Sequence, residues 1–211
     1  MDHLEEIAER IRFSFDARTQ SREQALAQTR TLIRHCAHAI RAIHRNEKDL
    51  ALENLDIARS IVKQLNENLK EYPDIFFAGY TQNALKEFAE ANIVYALVEK
   101  DGLPDPDELE ITHSTYLQGL AETAGELRRR CLDCLRRGKS QEAERLLDHM
   151  DDIYAVLITM DYPDAITGGL RRLTDIVRGV TERTRGDLTI SLRQEQLERS
   201  IERLENQLSS E

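Results

Sequence analysis

Two carboxylates one helical turn apart stand in the stretch "LKEFAEANIVYAL", residues 85–97. On a helix Glu87 and Glu90 lie about 60° apart. Ala91, Val94, Leu97 and Val98 fall around and between them, while Asn92, Ala96, Glu99 and Lys100 fall on the far side. The pair therefore sits inside the stripe that a helix ordinarily buries. An ionised carboxylate taken out of water is costly unless it is paired or bound to a metal, and two of like sign are worse. Two arrangements resolve the cost: a clamp of arginines or an opening to solvent, or a divalent cation. Hard ions such as Mg²⁺ and Mn²⁺ take oxygen ligands and keep several waters, so two carboxylates a turn apart form half a site.

Other helical stretches offer acids for the remaining half. In "LLDHMDDIYAVL" (146–157), Asp152 lies on the less apolar face with Asp148 one turn before it and Arg145 nearby. In "YLQGLAETAGELRRRC" (116–131), Glu126 shares a face with Gly119, Glu122, Thr123 and Arg130, opposite Leu120, Leu127 and Cys131. On spacing alone, either acid reads first as a solvated charge. Basic residues gather at Arg34, Arg41 and Arg45, at 128–130 and 136–137, and in "GGLRR" (168–172). Acidic metal ligands beside arginine-rich faces are what phosphodiester cleavage requires, the ion activating water and the arginines holding phosphates. No phosphate-binding, dinucleotide, zinc-protease or serine-hydrolase motif is present. Cys131 and Cys134 form a C-x-x-C within a helical pattern with no second cysteine pair, which reads as packing rather than zinc or redox use. His35 and His38 serve packing or RNA contact equally well.

The elements that must position these residues are helices. Charged residues make up 32% and aromatics 5%, with no Trp, and apolar residues recur with helical period nearly throughout. A hydrophobic fraction of 40% exceeds what disordered chains carry. No apolar run approaches the roughly 18 residues of a membrane span, and the acidic, amphipathic "MDHLEEIAERIRF" is no signal peptide, so a cytoplasmic protein is expected. A net charge of −10 excludes a surface that grips nucleic acid everywhere, though not a local basic face. The pattern predicts a short helix near 2–15, a long one near 20–46 with Ser21 at its cap, and others near 47–71, 75–100, 112–137 and 140–160. A last one begins between 163 and 169 and runs to about 208, with a bend near Gly179 or Gly186. "KDGLPDPDE" (100–108) is the clearest loop. Leu197, Ile201, Leu204 and Leu208 form an apolar seam, for a helix of this chain or of another copy. One domain, 1–211, is expected.

These segments resemble the translin superfamily, and within it the branch of translin-associated factor X (Trax). "YLQGLAETAGELRRRC" is similar to the branch's Y-L-x-G-x-A-x-x-x-G-E-L segment, and "KEFAEA" to its Q-E-Y-x-E-A segment, whose two glutamates are catalytic. "LLDHMDDIYAVL" resembles the stretch that ends in the catalytic aspartate. "LRRLTDIVRGVTERTRGDLTISLR" resembles the family's closing helix, and "REQALAQTRTLIRHCAHAIRAIH" an early one. The resemblance implies an all-α single-domain bundle of about seven helices that assembles into a hollow homo-oligomer, an octamer. Eukaryotic Trax and translin form the mixed complex that cleaves the passenger strand in RNA silencing. It therefore implies a Mg²⁺-dependent endoribonuclease, Mn²⁺ substituting, that acts on single-stranded or short duplex RNA inside the barrel. The catalytic positions carry over to Glu87, Glu90 and Asp152, with Glu126 a fourth metal ligand. Asp152 is chosen over Asp151 because the family's aspartate precedes a small residue and then an aromatic one; here Ile153 and Tyr154 follow, so the small residue is missing. Arg129, Arg130, Arg171 and Arg172 are the candidates for phosphate contacts. The Arg- and His-rich stretch by which translin contacts nucleic acid corresponds to "FFAGYTQNALKEF" (76–88), which has neither residue. The Trax insertion after the fourth helix is also absent, which points to an archaeal or other prokaryotic member that assembles with itself. The competing expectation is a non-catalytic, translin-like oligomer that binds RNA or single-stranded DNA.

Overall fold

The structure, a computed structural model, describes residues 2–99 and 102–209, which contain eight helical segments and no strand. The first, α1 (Asp2–Arg45), is one helix where two were expected. The stretch "DARTQ" (16–20) contains no glycine or proline to stop a helix. Ser21 does not cap; its hydroxyl donates to the Ala17 carbonyl at 3.0 Å, a bond made from inside a helix. α1 stops at Asn46, whose φ is 61°. The Asn46 N–H then reaches the Ile43 carbonyl (3.1 Å) and the Glu47 N–H that of Ala42 (2.9 Å), the two bonds of a Schellman end.

α2 (Lys48–Asn68) folds back along α1. Each contributes a row at helical spacing: Leu32, Cys36, Ala39 and Ile43 on α1, and Ala51, Leu55, Ala58, Val62 and Leu65 on α2, all buried. The expected helix near 75–100 is two pieces. A single turn, α3 (Pro73–Phe76), starts with proline at its first position, and α4 (Gly79–Glu99) follows. Thr81 and Gln82 tie the start of α4 to α3 by donating to the carbonyls of Ile75 and Phe76, both at 2.8 Å. α4 also departs from the expected two-sided pattern, because residues 91–98 are buried all round. Asn92 tolerates burial by donating to the Phe88 carbonyl at 2.8 Å, and Ala96 has no polar atom to lose. Lys100, expected on the same far side, lies outside the described residues.

After the non-helical 102–112, α5 (His113–Arg136) opens on Thr112, whose hydroxyl accepts the Thr115 N–H at 3.2 Å. It closes at Gly138 (φ 69°), again with both Schellman bonds, from Gly138 to Leu135 and from Lys139 to Cys134. α6 (Ser140–Leu157), the single turn α7 (Asp164–Thr167) and α8 (Leu170–Leu208) complete the chain. α8 runs uninterrupted through Gly179 and Gly186. Its apolar seam, Leu197, Ile201, Leu204 and Leu208, is exposed, so the intramolecular alternative for it fails. No helix among the described residues is long and apolar enough to cross a membrane.

Contacts group the chain into two compact units, Met1–Ala96 with Asp101–Gly119, and Leu97–Lys100 with Leu120–Glu211. The first is built on the α1–α2 pair and most of α4, with Leu85, Phe88 and Ile93 fully buried. In the second, α6 packs on α8, and Leu146, Met150, Leu157, Leu170, Val177 and Leu188 are buried. Arg145 of α6 stabilises the end of α4 there: it donates to the carbonyls of Leu97 (2.7 Å) and Val98 (3.2 Å) and is held by Glu142. Those carbonyls belong to a last helical turn and have no partner within the helix.

Candidate metal centre

Gly119 is where α5 comes against α4. A Cβ placed there would lie 2.6 Å from the Ala89 Cβ, 2.9 Å from the Lys86 carbonyl oxygen and 3.0 Å from the Glu90 nitrogen. Only glycine allows this backbone approach. One turn further along α5 stands Glu122. The carboxylates of Glu87, Glu90 and Glu122 each place an oxygen within 4.8 Å of the others. Glu90 is buried, with 8% of its surface exposed, and Glu87 and Glu122 are half-buried. The Lys86 ammonium lies 3.7 Å from Glu87.

A third helix borders the pair from within the first unit. Burial, and then the charges of Glu87 and Glu90, push the Cys36 thiol of α1 far above its ordinary range, so it stays protonated. It adds neither a charge nor a ready ligand. The donor set is thus three carboxylates, all hard oxygen, in a surrounding that is apolar on the α4 side. That set fits Mg²⁺ or Mn²⁺ better than a sulfur- or nitrogen-preferring metal. One divalent cation would lower the repulsion of three converging anions.

Of the four acids named from the sequence as metal ligands, Glu87 and Glu90 belong to this group; Asp152 and Glu126 are not members of it. Asp152 is exposed on α6. Its neighbour Asp151 is engaged by Arg185 at 2.6 Å. Glu126 is half-buried, with Arg129 3.8 Å away. Arg129 is exposed and Arg130 half-buried. Arg171 is exposed and pairs with Asp161 at 3.0 Å, and Arg172 is exposed. Sequence reasoning missed Glu122 as a candidate ligand, because it is one of three acids on α5, with Glu126 and Asp133, and nothing in the helix's own pattern separates it from them. The available signal was Gly119, three residues earlier on the same face.

The C-x-x-C thiols lie elsewhere. Cys131 and Cys134 are buried and unbridged. Burial raises both, Cys131 to about 11, and its sulfur donates to the Ala143 carbonyl at 3.6 Å.

Helices throughout, with a three-carboxylate group where two of them touch, define an all-α protein able to hold a metal ion. The sequence matches the Translin family over residues 3–208, and the chain belongs to that family. It is 34% identical over 192 residues to the uncharacterized protein MJ0175 of Methanocaldococcus jannaschii, covering 90% of this chain and 85% of that one. Its fold is similar to AfC3PO in complex with duplex RNA, with a TM-score of 0.78, 31% identity, and 90% of this chain and 96% of that one covered. It is also similar to the crystal structure of AfC3PO, with a TM-score of 0.81, 30% identity, and 87% and 96% covered. At 18% identity and a TM-score of 0.81, with the same coverage, apo-NeC3PO shares the fold.

Proposed function

We propose that this protein is a Trax-like, metal-dependent endoribonuclease that cleaves single-stranded or short duplex RNA in the cytoplasm. One observation carries the reading: the carboxylates of Glu87, Glu90 and Glu122 converge, with Glu90 buried, beside a helical stretch, residues 91–98, that is buried throughout. Glu87 and Glu90 are the catalytic pair, with Glu122 joining them on the ion. Asp152 is the third catalytic acid and Glu126 a further ligand, both on the strength of the family resemblance. Mg²⁺, or Mn²⁺ in its place, supplies Lewis acidity toward a phosphate and a more acidic bound water. The chain's own part is to hold the acids apart from bulk water. Glu90, buried, sits deepest; Glu87, with 28% of its side chain exposed, forms the approach. Arg129, Arg130, Arg171 and Arg172 hold phosphates, as guanidinium groups do.

Membership of the Translin family supports RNA as the partner, and so does the 31% identity to a protein solved with duplex RNA. We read the chain as one domain, because α4 and α5 each run unbroken through both compact units. It assembles with itself into a hollow octamer. Apolar side chains exposed toward both chain ends, Phe13 and Phe15 on α1 and the α8 seam, support such assembly.

A labelled short RNA incubated with Mg²⁺, and then with chelator, tests the enzyme. Changing Glu87→Gln and Glu90→Gln should lower cleavage at least about a hundredfold and leave RNA binding intact. Lys86 beside Glu87 favours the second reading, a non-catalytic RNA- or single-stranded-DNA-binding oligomer. In that case the wild type cuts nothing with either ion and the double variant binds as before.

A further inference from the structure

Several described arginines are matched with acids, among them Arg18 with Asp74, Arg128 with Asp187, Arg145 with Glu142 and Arg185 with Asp151. Arg30, Arg34, Arg41 and Arg45 of α1 differ. All four are exposed, and among the described residues none has a carboxylate at ion-pair distance. Arg41 instead turns its Nε–H back to the Ala37 carbonyl at 3.1 Å. On a helix the four fall, together with exposed His38, within a sector of about 80°. Between positions 30 and 45 that sector contains no other residue and hence no acid. The row extends for about 22 Å along the axis. Glu47 lines the hollow beside Arg41 and Arg45 but forms no ion pair with them.

Like charges repeated at this spacing weaken a helix, so the row is disadvantageous to the free chain. In a protein of net charge −10 it concentrates positive field in one line, complementary to a polyanion. No Phe, Tyr or Trp interrupts it, so apart from the His38 imidazole it offers bases nothing to stack on, while its guanidinium groups offer phosphates something to bind.

We propose that this face of α1 is a rail for the RNA backbone, contacting successive phosphates through Arg30, Arg34, Arg41 and Arg45 without reading sequence. The inference rests on the RNA-binding reading above but not on catalysis. The test is RNA affinity across a salt series, with chelator present so that nothing is cut. Each lost phosphate contact should lower the slope of log K against log salt by ~0.7 on single strands and ~0.9 on duplex. The triple change Arg34→Gln, Arg41→Gln and Arg45→Gln should therefore flatten it by about 2 or more and weaken binding at least about tenfold. Circular dichroism should show the variant folded. An equal loss of charge on α8, Arg183→Gln with Arg193→Gln and Arg203→Gln, should leave the slope unchanged. If the wild type binds no RNA, the RNA reading falls and the rail with it. If the wild type binds and the α1 variant shows the same slope, or both triples flatten it equally, the rail alone is overturned.

Discussion

Glu90 is the acid whose surroundings demand most of the protein. It is almost wholly removed from water, within 4.8 Å of oxygens of two other carboxylates, and beside a thiol that stays neutral. A bound divalent ion would stabilise only the folded chain. At a hundredfold excess over its dissociation constant the gain is about 2.7 kcal/mol. For a chain of this length that is a rise in melting temperature of roughly 5–10 °C. Glu90→Gln should abolish most of the Mg²⁺-induced rise, since an amide of the same shape carries no charge to attract the ion. Calorimetry with and without Mg²⁺ checks this; an undiminished shift in the variant would place the ion elsewhere. At this scale the sequence was informative for Glu87 and Glu90, because acids inside an apolar stripe violate a pattern. It was silent on Glu122, which looks like any solvated acid on a charged helix until α4 is set against it.

Among the elements, the α4–α5 crossing and the end of α4 have separate supports, and each can be tested. Gly119→Ala would drive a methyl into the Ala89 side chain and the backbone at Lys86 and Glu90. Overpacking of this kind costs about 1–3 kcal/mol. The expected variant is folded, melts lower, and loses more cleavage than RNA binding; unchanged cleavage would show that the crossing does not set the acids. At the other support, His149 accepts a hydrogen bond from Arg145 at 3.0 Å, which requires a neutral ring. Burial, then the Arg145 charge, hold it below its ordinary 6.5 against the opposing pull of Asp152, Asp148 and Glu142. The unfolded chain therefore takes up this proton first as pH falls. The stabilisation is complete above about 6.5 and declines below it. Melting temperatures at pH 7.5 and 5.5 should differ by less in His149→Gln than in the wild type. The helices themselves were mostly legible, since proline, glycine and apolar period mark them. Two errors have local causes: nothing between 16 and 20 breaks α1, and Asn92 satisfies its amide within its own helix, so a polar letter stood for a buried position.

For the molecule as a whole, two groups of exposed apolar residues lie toward the ends of the two longest helices. Leu4, Phe13 and Phe15 belong to α1, and Leu197, Ile201, Leu204 and Leu208 to α8. Side chains of this size left in water each forgo about 1.5–3 kcal/mol of burial. Leu197→Glu with Leu204→Glu should shift the protein to smaller species in sedimentation velocity without lowering its helix content. Unaltered sedimentation would leave the α8 seam without a role in assembly. Single-chain sequence patterns show such a seam but not its partner, because intramolecular and intermolecular packing ask for the same residues.

Because Gly119 brings the backbone of α5 against that of α4, the acids project from helices that cannot draw apart without losing this contact. A cradle that cannot widen discriminates by ionic radius. On the metal-centre reading, ions content at about 2.0–2.1 Å from oxygen would be favoured over Ca²⁺, which prefers about 2.3–2.6 Å and more ligands. One missing methyl group would thus decide which abundant cellular cation the protein accepts.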